Sequence, residues 1–321
     1  MPWSRAGQWL LGLLSVYAIM ALALWLARAD LRLVAGTAPA WLIPAFMAMA
    51  SVGFALRVVR WMLLARTADL NAPHMGLAAV YLGGFLMNIT PARIGELWRS
   101  WILWRRWGVR YRRSLPLLIC DRFLDLFALL LFGALGLALG FGFHWPAAFC
   151  LLAATTLAAL MAMPGWARRA IKLAWAAVGR RRPRLFALML SVCRNVARML
   201  RPVVFLKLLS LSLIAWSMEA VALHALMPTL GGELPLRAAT AALGVANVAG
   251  AMTPLPGGIV GQELTMAVLV SGLPGNSTAS SMAMVGIMRF CTLWYAALLG
   301  LPFFLYLSRR CMRPRPAPPR V

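Results

Sequence analysis

Acidic residues and histidines are scarce in this sequence, and that scarcity bounds its chemistry. The 321 residues include 8 Asp and Glu against 32 Lys and Arg, with 3 His and 5 Cys. The histidines are isolated and the cysteines form no close pair, so neither a metal-ligand spacing nor a disulfide framework is recognisable. No GxSxG elbow or Walker-type loop occurs. We therefore expect no metal, no cofactor and no catalytic residues, and we expect that the protein is not an enzyme.

Charged residues of either sign are also few, and apolar residues dominate. Hydrophobic residues make up 62% of the chain and charged residues 12%, with a mean hydropathy of +0.79. A soluble domain of this size has no means of hiding so much apolar surface, so the composition indicates a polytopic, all-α membrane protein. The net charge of +24 lies mainly in a few interhelical segments, as the positive-inside rule requires. Nucleic acid is therefore not an expected partner.

Long apolar runs predict about six full membrane spans in a single integral membrane domain covering residues 1–321. Basic residues in the loop 105–113, the segment 166–201 and the tail 309–321 place both termini in the cytoplasm. The first span resembles a signal peptide with a cleavage site near Ala29, but its length favours an uncleaved anchor. The predicted spans cover residues 8–27, 41–64, 114–140, 145–163, 203–227 and 279–307.

Two polar, proline-containing stretches interrupt this pattern. In the stretch 88–99, Pro91 should end one helix near Asn88 and allow another to begin just after it. The flanking pieces 75–88 and 92–104 are each too short to cross about 30 Å of hydrocarbon comfortably. The stretch 253–264 repeats the device between pieces 237–252 and 259–271. We expect re-entrant hairpins at both places, with two full spans each as the alternative.

The two interrupted regions share a motif and a spacing. Thr-Pro precedes Gly-Glu-Leu in the first and Gly-Gln-Glu-Leu in the second. Arg122 follows Glu96 by 26 residues, and Arg289 follows Glu263 by 26 residues. Inverted repeats with broken helices that meet near the bilayer centre are typical of transporters. The sequence therefore predicts an inverted repeat of residues 41–140 and 203–307, with a chance match of short motifs as the alternative.

The breaks supply groups suited to a phosphate or a carboxylate. The second half-helices should begin at 92–95 and 257–261, with free backbone N–H groups and positive dipole ends. Gly257 and Gly258 permit close backbone approach, and Arg93 adds a bidentate fork. Ionisable groups inside a membrane are costly, so those of this region, Glu219 included, are site candidates by default. The alternative is structural pairing, in which the carboxylates only neutralise neighbouring arginines.

The segment 166–201 is strongly basic and contains no acid. Its aromatic and leucine residues suggest amphipathic helices that lie on an anionic leaflet. The alternative is a solvated segment that only sets the topology.

Several motifs, taken in order, resemble one family. They are Arg60-Trp61, the block Asn88…Pro91-x-Arg93-x-Gly95-Glu96-x-x-Arg99, Asp121-Arg122, Pro254-x-Pro256-Gly-Gly-x-x-Gly-x-Glu263 and the late Arg289. Together they resemble the lysylphosphatidylglycerol synthase transmembrane region, also called the flippase-like integral membrane family. Ala92-Arg93 departs from the Gly-rich turn of many members. We expect no aminoacyl-transferase domain of the kind that multidomain members carry, and so no aminoacyl-lipid synthesis.

The resemblance implies a lipid flippase of the bacterial inner membrane, with membrane lipids as partners and a homodimer as a further expectation. The substrate would be a phosphate-bearing phospholipid or a polyprenyl-linked glycolipid. Glu96 and Glu263 would take up a proton or bind an amine. The alternatives are an accessory subunit that docks envelope-biogenesis enzymes, and a membrane-embedded polyprenyl-phosphate transferase. The expected substrate-binding residues are Arg60, Asn88, Arg93, Glu96, Arg99, Asp121, Arg122, Gly257, Gly258, Glu263 and Arg289.

Overall fold

The computed structural model describes residues 41–68, 70, 72–90, 95–162, 164–177, 183–253 and 255–312. The predicted span 8–27, Arg93, and the part of the basic tail beyond residue 312 lie outside the described residues. Wherever the chain is described, it forms helices and no strand. The predicted all-α fold class is therefore confirmed.

Twelve α-helices, numbered in chain order, make up the described part of the chain. Short 3₁₀ turns follow α2, α8 and α9, at Leu86–Ile89, Met227–Leu230 and Pro256–Gly258, and π-helical turns follow α4 and α11, at Leu137–Phe141 and Phe290–Trp294. The helices are α1 Leu42–Thr67, α2 His74–Gly83, α3 Leu97–Trp107, α4 Tyr111–Gly136, α5 His144–Ala162, α6 Pro164–Ala177, α7 Pro183–Met199, α8 Pro202–Leu226, α9 Leu236–Met252, α10 Gly261–Ser271, α11 Thr278–Arg289 and α12 Tyr295–Met312.

Four stretches of the described chain are long and apolar enough to cross a bilayer. They are Leu42–Thr67, Tyr111–Phe141, Pro202–Leu230 and Thr278–Cys311. The shortest, α1, has 26 residues, which at about 1.5 Å per residue exceeds about 30 Å of hydrocarbon. All four coincide with predicted spans. The predicted span 145–163 corresponds to α5, which makes a fifth span only if it is counted with α6 across a bend of 79°.

Large apolar side chains on the outside of the bundle agree with a membrane location. Trp145 is 89% exposed and Phe149 on the same helix is 72% exposed, while Leu206 on α8 and Leu298 on α12 are each more than 60% exposed. In water such side chains would be an aggregation liability, whereas lipid tails solvate them. The chain is a multi-pass membrane protein.

The basic ends of the long helices gather at one end of the bundle. The C-terminal end of α1 and the first turns of α4 and α8 line one crevice, through Thr67, Arg113 and Val204. Arg105 Nε, near the C-terminal end of α3, donates to Cys311 O at 3.3 Å and so brings the end of α12 to the same side. The described parts of the predicted basic loops 105–113 and 166–201 therefore meet near the end of α12.

The structure describes the first break on either side of residues 91–94. The α-helix after it begins at Leu97, with Glu96 as its N-cap residue, and Gly95 and Glu96 form a 3₁₀ turn before it. The predicted start just after Pro91 lies outside the described residues. Gly95 N–H donates to Thr90 Oγ1 at 2.8 Å, so a side chain connects the two sides of the break.

Glycines bring α4 and α9 into close contact. A Cβ built on Gly244 of α9 would lie 2.6 Å from Gly133 N of α4, too close for any real side chain. Gly136 meets the backbone of Ala241 in the same way. Apolar helices in lipid have no hydrophobic driving force for association. Close backbone packing through small residues is therefore a main source of helix association in membranes.

We expect Gly244→Ala to destabilise the protein by about 1–3 kcal/mol, because the added methyl group must push α4 and α9 apart. Gly286→Ala is the matched control, since Gly286 is also helical and a Cβ there has no heavy atom within 4 Å. The control should have an unchanged or higher midpoint, as alanine favours a helix over glycine. Thermal unfolding in detergent, followed by tryptophan fluorescence, measures both. Equal midpoints for the two variants would contradict the packing argument.

Candidate functional site

Arg60 of α1 is the centre of a buried ion-pair network. Its guanidinium Nη1 donates to Asp125 Oδ1 at 2.6 Å and to Ser212 Oγ at 2.5 Å, and Nη2 donates to Asp121 Oδ1 at 2.7 Å. Arg60 and Asp121 are both 0% exposed. Asp121 and Asp125 are four residues apart on α4, so they share a helix face and both reach one guanidinium. The network joins α1, α4 and α8.

A second pair links α1 and α8 one turn further along. Arg57 Nη2 donates to Glu219 Oε1 at 2.7 Å, and its guanidinium lies 4.0 Å from the ring centroid of Trp216. Trp216 in turn donates from Nε1 to Asp125 Oδ1 at 3.2 Å. The cation–π contact and the ion pair together compensate for the burial of Arg57. Trp216 contacts both Arg57 and Asp125, and Asp125 accepts from Arg60, so the Arg57 pair and the Arg60 network are connected.

Arg122, on α4, contacts the same two aspartates as Arg60 but is only partly buried. Its Nη2 lies 2.7 Å from Asp121 Oδ2 and 3.3 Å from Asp125 Oδ2, and its Nε lies 3.3 Å from Glu96 Oε2. Its side chain is 33% exposed, the largest fraction among the arginines of these ion pairs. Three carboxylates therefore surround a guanidinium that still reaches open space.

Arg99 occupies an unusual environment behind this group. Its guanidinium is fully buried, lies 3.7 Å from Asp121 Oδ2 and sits 4.3 Å from the ring centroid of Tyr81. Within the described chain, none of its three nitrogens has a hydrogen-bond partner. Aromatic faces and a nearby carboxylate are thus what stabilise this charge.

The second interrupted region places Arg289 against its own break. Arg289 Nε lies 2.6 Å from Glu263 Oε1, Nη1 donates to Gln262 Oε1 at 2.7 Å, and Nη2 donates to Gly257 O at 2.7 Å. Arg289 therefore has one carboxylate and two neutral acceptors, whereas Arg122 has three carboxylates. The predicted pairing of carboxylates with arginines is present at both breaks.

The backbone of the second break is unusually bent. Gly257, Gly258 and Val260 all have positive φ, at 64°, 70° and 73°. A Cβ at Gly258 would lie 2.8 Å from Gly250 O, so only glycine fits against α9. A β-branched residue at positive φ is strained, and such strain tends to occur at functional sites. Gly257 and Gly258 are thus required by the turn, whatever they bind.

Two cavities meet at these residues. The larger has a volume of about 530 Å³ and a mostly apolar lining in which leucine is the commonest residue, with Glu96, Arg122 and Asp125 among its polar residues. The smaller, of about 90 Å³, is polar and includes Arg57, Glu219 and Arg289 in its lining. Both are lined by Arg122, Asp125, Trp216 and Asn247. The result is an apolar groove with a charged end.

The structure separates the predicted site residues into two groups. Arg60, Arg99 and Asp121 are buried behind the cavities and line neither of them, and Arg93 lies outside the described residues. Glu263 lines neither cavity, but it pairs with Arg289, which lines the smaller one. The predicted residues that line a cavity are Asn88, Glu96, Arg122, Gly257, Gly258 and Arg289.

Several lining residues were missed by sequence reasoning, and three of them illustrate why. Asn247 is the one polar side chain between Ala241 and the end of α9 at Met252, a signal that was available. Gln262 adjoins Glu263 in the shared motif and was read only as a spacer. Trp216 carries no signal in the sequence, because aromatic residues are common in membrane helices. In the part of the chain that the structure describes, no three His, Cys, Asp or Glu side chains are placed to hold a metal ion.

We expect Arg60→Met to destabilise the protein by about 3–5 kcal/mol, because Asp121 and Asp125 lose the guanidinium that both contact. Arg60→Lys should recover part of the loss, since one ammonium keeps the charge without the planar fork. Arg66→Met, on the exposed last turn of the same helix, should change stability by less than about 0.5 kcal/mol. The free energy of unfolding in detergent distinguishes these outcomes, and an Arg60→Met variant as stable as Arg66→Met would show that the network does not stabilise the fold.

Comparisons with known proteins agree with the motifs. The model of the family described as Lysylphosphatidylglycerol synthase TM region matches residues 9–300. A UPF0104 membrane protein of Methanothermobacter thermautotrophicus is 36% identical over 95 residues, which cover 29% of this chain and 28% of that protein. The chain thus spans a little over a quarter of this relative's length. The family match covers nearly the whole chain and confirms the resemblance drawn from the motifs. The chain belongs to the Lysylphosphatidylglycerol synthase TM region family.

Proposed function

We propose that this protein moves a phosphate-bearing lipid across the membrane, with its head group in the polar cavity. The observation that carries the proposal is that Arg122 of α4 and Arg289 of α11, each paired with the glutamate of one break, line the same polar cavity. Arginine guanidinium groups bind phosphate oxygens bidentately. A head group placed there would contact both halves of the protein at once.

The larger cavity supports the proposal because it suits lipid tails. Its volume of about 530 Å³ lies within the range of small-molecule sites, about 300–1,000 Å³. Leu97, Ile119 and Leu255 line it and are also exposed on the outside of the bundle, so the groove reaches the apolar surface. The tails would leave through this opening and remain among the lipids while the head group crosses.

Matching contacts at the two breaks support an inverted repeat. Arg122 pairs with Glu96 and Arg289 pairs with Glu263 at the same spacing of 26 residues. In each break a glycine that opens the next helical segment packs against a threonine, Gly95 against Thr90 in the first. The 3₁₀ turns Leu86–Ile89 and Pro256–Gly258 contact each other. Two re-entrant hairpins that meet at mid-membrane, in a chain with about six full spans, would permit alternating access as one repeat rocks against the other.

The predicted residues other than the three buried behind the cavities each have a role in this proposal. Arg122 and Arg289, with Arg93, would be the phosphate ligands, and Asn88, Gly257 and Gly258 would line the head-group position. Glu96 and Glu263 would exchange a proton or bind an amine. The lipid, either a phospholipid or a polyprenyl-linked glycolipid, would be the main partner of a non-enzymatic transporter. We place it in a bacterial inner membrane with both termini in the cytoplasm, as a monomer or a homodimer.

A second candidate function rests on the amphipathic helices α6 and α7. Their surface is basic and largely exposed, as a docking site would be in an accessory subunit of an envelope glycolipid pathway. This function requires no transport. It predicts that a stable partner is recovered with the protein, and that deletion of the segment removes that partner.

We expect the double variant Arg289→Gln/Glu263→Gln to lose transport of a labelled anionic phospholipid in proteoliposomes. The double change keeps the buried charge balanced, so the protein should still fold. Arg309→Gln is the control, since Arg309 lies on α12, the helix that continues beyond Arg289, and lines neither cavity. Lipids retained by each purified protein are identified by mass spectrometry alongside the transport assay.

The expected result is one enriched phosphate-bearing lipid in the wild type and the control, and none in the double variant. Transport and lipid retention that are equal in all three proteins would overturn the proposal. That outcome would make the accessory-subunit function the leading one, because the breaks would then have only a structural role.

A further inference from the structure

A basic crevice lies at the end of the bundle where the long helices meet the amphipathic pair. We call it the basic crevice; it has a volume of about 550 Å³. It is separate from the two cavities described above and shares no lining residue with them. Its lining residues are Thr67, Ala68, Arg113, Asn195, Arg198, Met199, Arg201 and Val204.

Three arginines from three helix ends give the basic crevice its charge. Arg113 is in the first turn of α4, Arg198 is in the last turn of α7, and Arg201 is the N-cap residue of α8. Asp69 follows Ala68 in the sequence and lies outside the described residues. Even if Asp69 is counted, the crevice keeps an excess of two positive charges. Its natural occupant is therefore an anion.

The surroundings of the basic crevice are those of a membrane surface. Helix α6 turns by 79° from α5, so if α5 crosses the bilayer, α6 runs nearly parallel to its plane. The helices α6 and α7 expose Trp166, Leu173 and Leu185 together with basic residues. A helix with exposed apolar and basic residues binds the interface of an anionic leaflet. The crevice therefore lies at the level of the lipid head groups.

We propose that the basic crevice binds the phosphate of an anionic phospholipid from the leaflet on which α6 and α7 lie. The apolar residues beside it accommodate the tails of the same lipid, which a free phosphate ion does not have. The bound lipid connects α7 to the ends of α1, α4 and α8. Asn195 Nδ2, which donates to Arg112 O at 2.8 Å, already makes one such connection within the protein.

This lipid acts on the protein from a distance rather than as the transported molecule. Thr67 is seven residues from Arg60, or about 10 Å along α1. The helices that line the crevice, α1, α4 and α8, also carry the buried ion-pair network. Anionic lipid in the crevice therefore stabilises the arrangement of these three helices. The inference does not depend on the proposed transport function.

The test uses the full-length protein purified in a neutral detergent. Its thermal unfolding midpoint is measured during titration with dioctanoyl phosphatidylglycerol, with dioctanoyl phosphatidylcholine and with inorganic phosphate. The crevice variant is Arg198→Gln/Arg201→Gln. The matched control is Arg169→Gln/Lys172→Gln, which removes the same charge from exposed positions of α6 that do not line the crevice.

We expect phosphatidylglycerol to raise the midpoint of the wild type and of the control, with little effect from the other two additives. The crevice variant should need at least a tenfold higher phosphatidylglycerol concentration for half of the effect, because each cation near an anionic lipid contributes measurably to binding. Equal losses in both variants would show diffuse surface attraction and overturn the proposal. An equal rise with inorganic phosphate would also overturn it, in favour of a free phosphate ion.

Discussion

A guanidinium removed from water is stable only when carboxylates, hydrogen-bond acceptors or aromatic faces surround it, and the arrangement of the helices follows from this constraint at Arg60. Apolar helices in lipid have no hydrophobic reason to choose one rotation or one depth over another. The ion pairs and hydrogen bonds of Arg60 select one rotation and one depth, because its partners come from α4 and from α8. If α4 turned by one residue, about 100°, Asp121 and Asp125 would leave the guanidinium together. The charged network thus determines the register of α1, α4 and α8, while the glycines of α4 and α9 determine how closely the next helix packs.

The breaks obey the same rule with backbone groups in place of charges. A helix interrupted at membrane depth leaves N–H and C=O groups that must find partners inside the protein. Thr90 Oγ1 donates to Met87 O and accepts from Gly95 N–H, and Thr253 Oγ1 donates to Gly250 O. Arg289 Nη2 donates a hydrogen bond to the carbonyl oxygen of Gly257. At each break, side chains therefore supply the hydrogen-bond partners that water supplies at a protein surface. They also connect each break to the helix that follows.

Much of this was predictable from local sequence, and the rest was not, for a physical reason. Apolar runs predicted the four long helices to within a few residues, since hydropathy and length alone decide what crosses a bilayer. Proline and glycine predicted where the helices break. The hydrogen bond from Gly95 N–H to Thr90 Oγ1 depends on how the chain turns at the break, which residue propensity does not reveal. The pairing of Arg57 with Glu219 depends on which helices are neighbours. Burial costs identify Arg60 and Arg99 as unusual, but they do not say whether a charge faces a cavity or a packed interior.

The two breaks differ in how firmly they hold their arginine, and this difference bears on the proposed transport. A phosphate that approaches Arg122 meets three carboxylates and must work against their repulsion, whereas at Arg289 it meets one. The other partners of Arg289 are a glutamine and a backbone carbonyl, which are neutral and cost less to displace. The same turn contains Val260 at positive φ, a strained conformation that a rearrangement would relieve. Under the proposed function, the second break therefore rearranges first. The first break is connected to the buried network through Asp121, so it stays fixed while the second half of the protein moves against it.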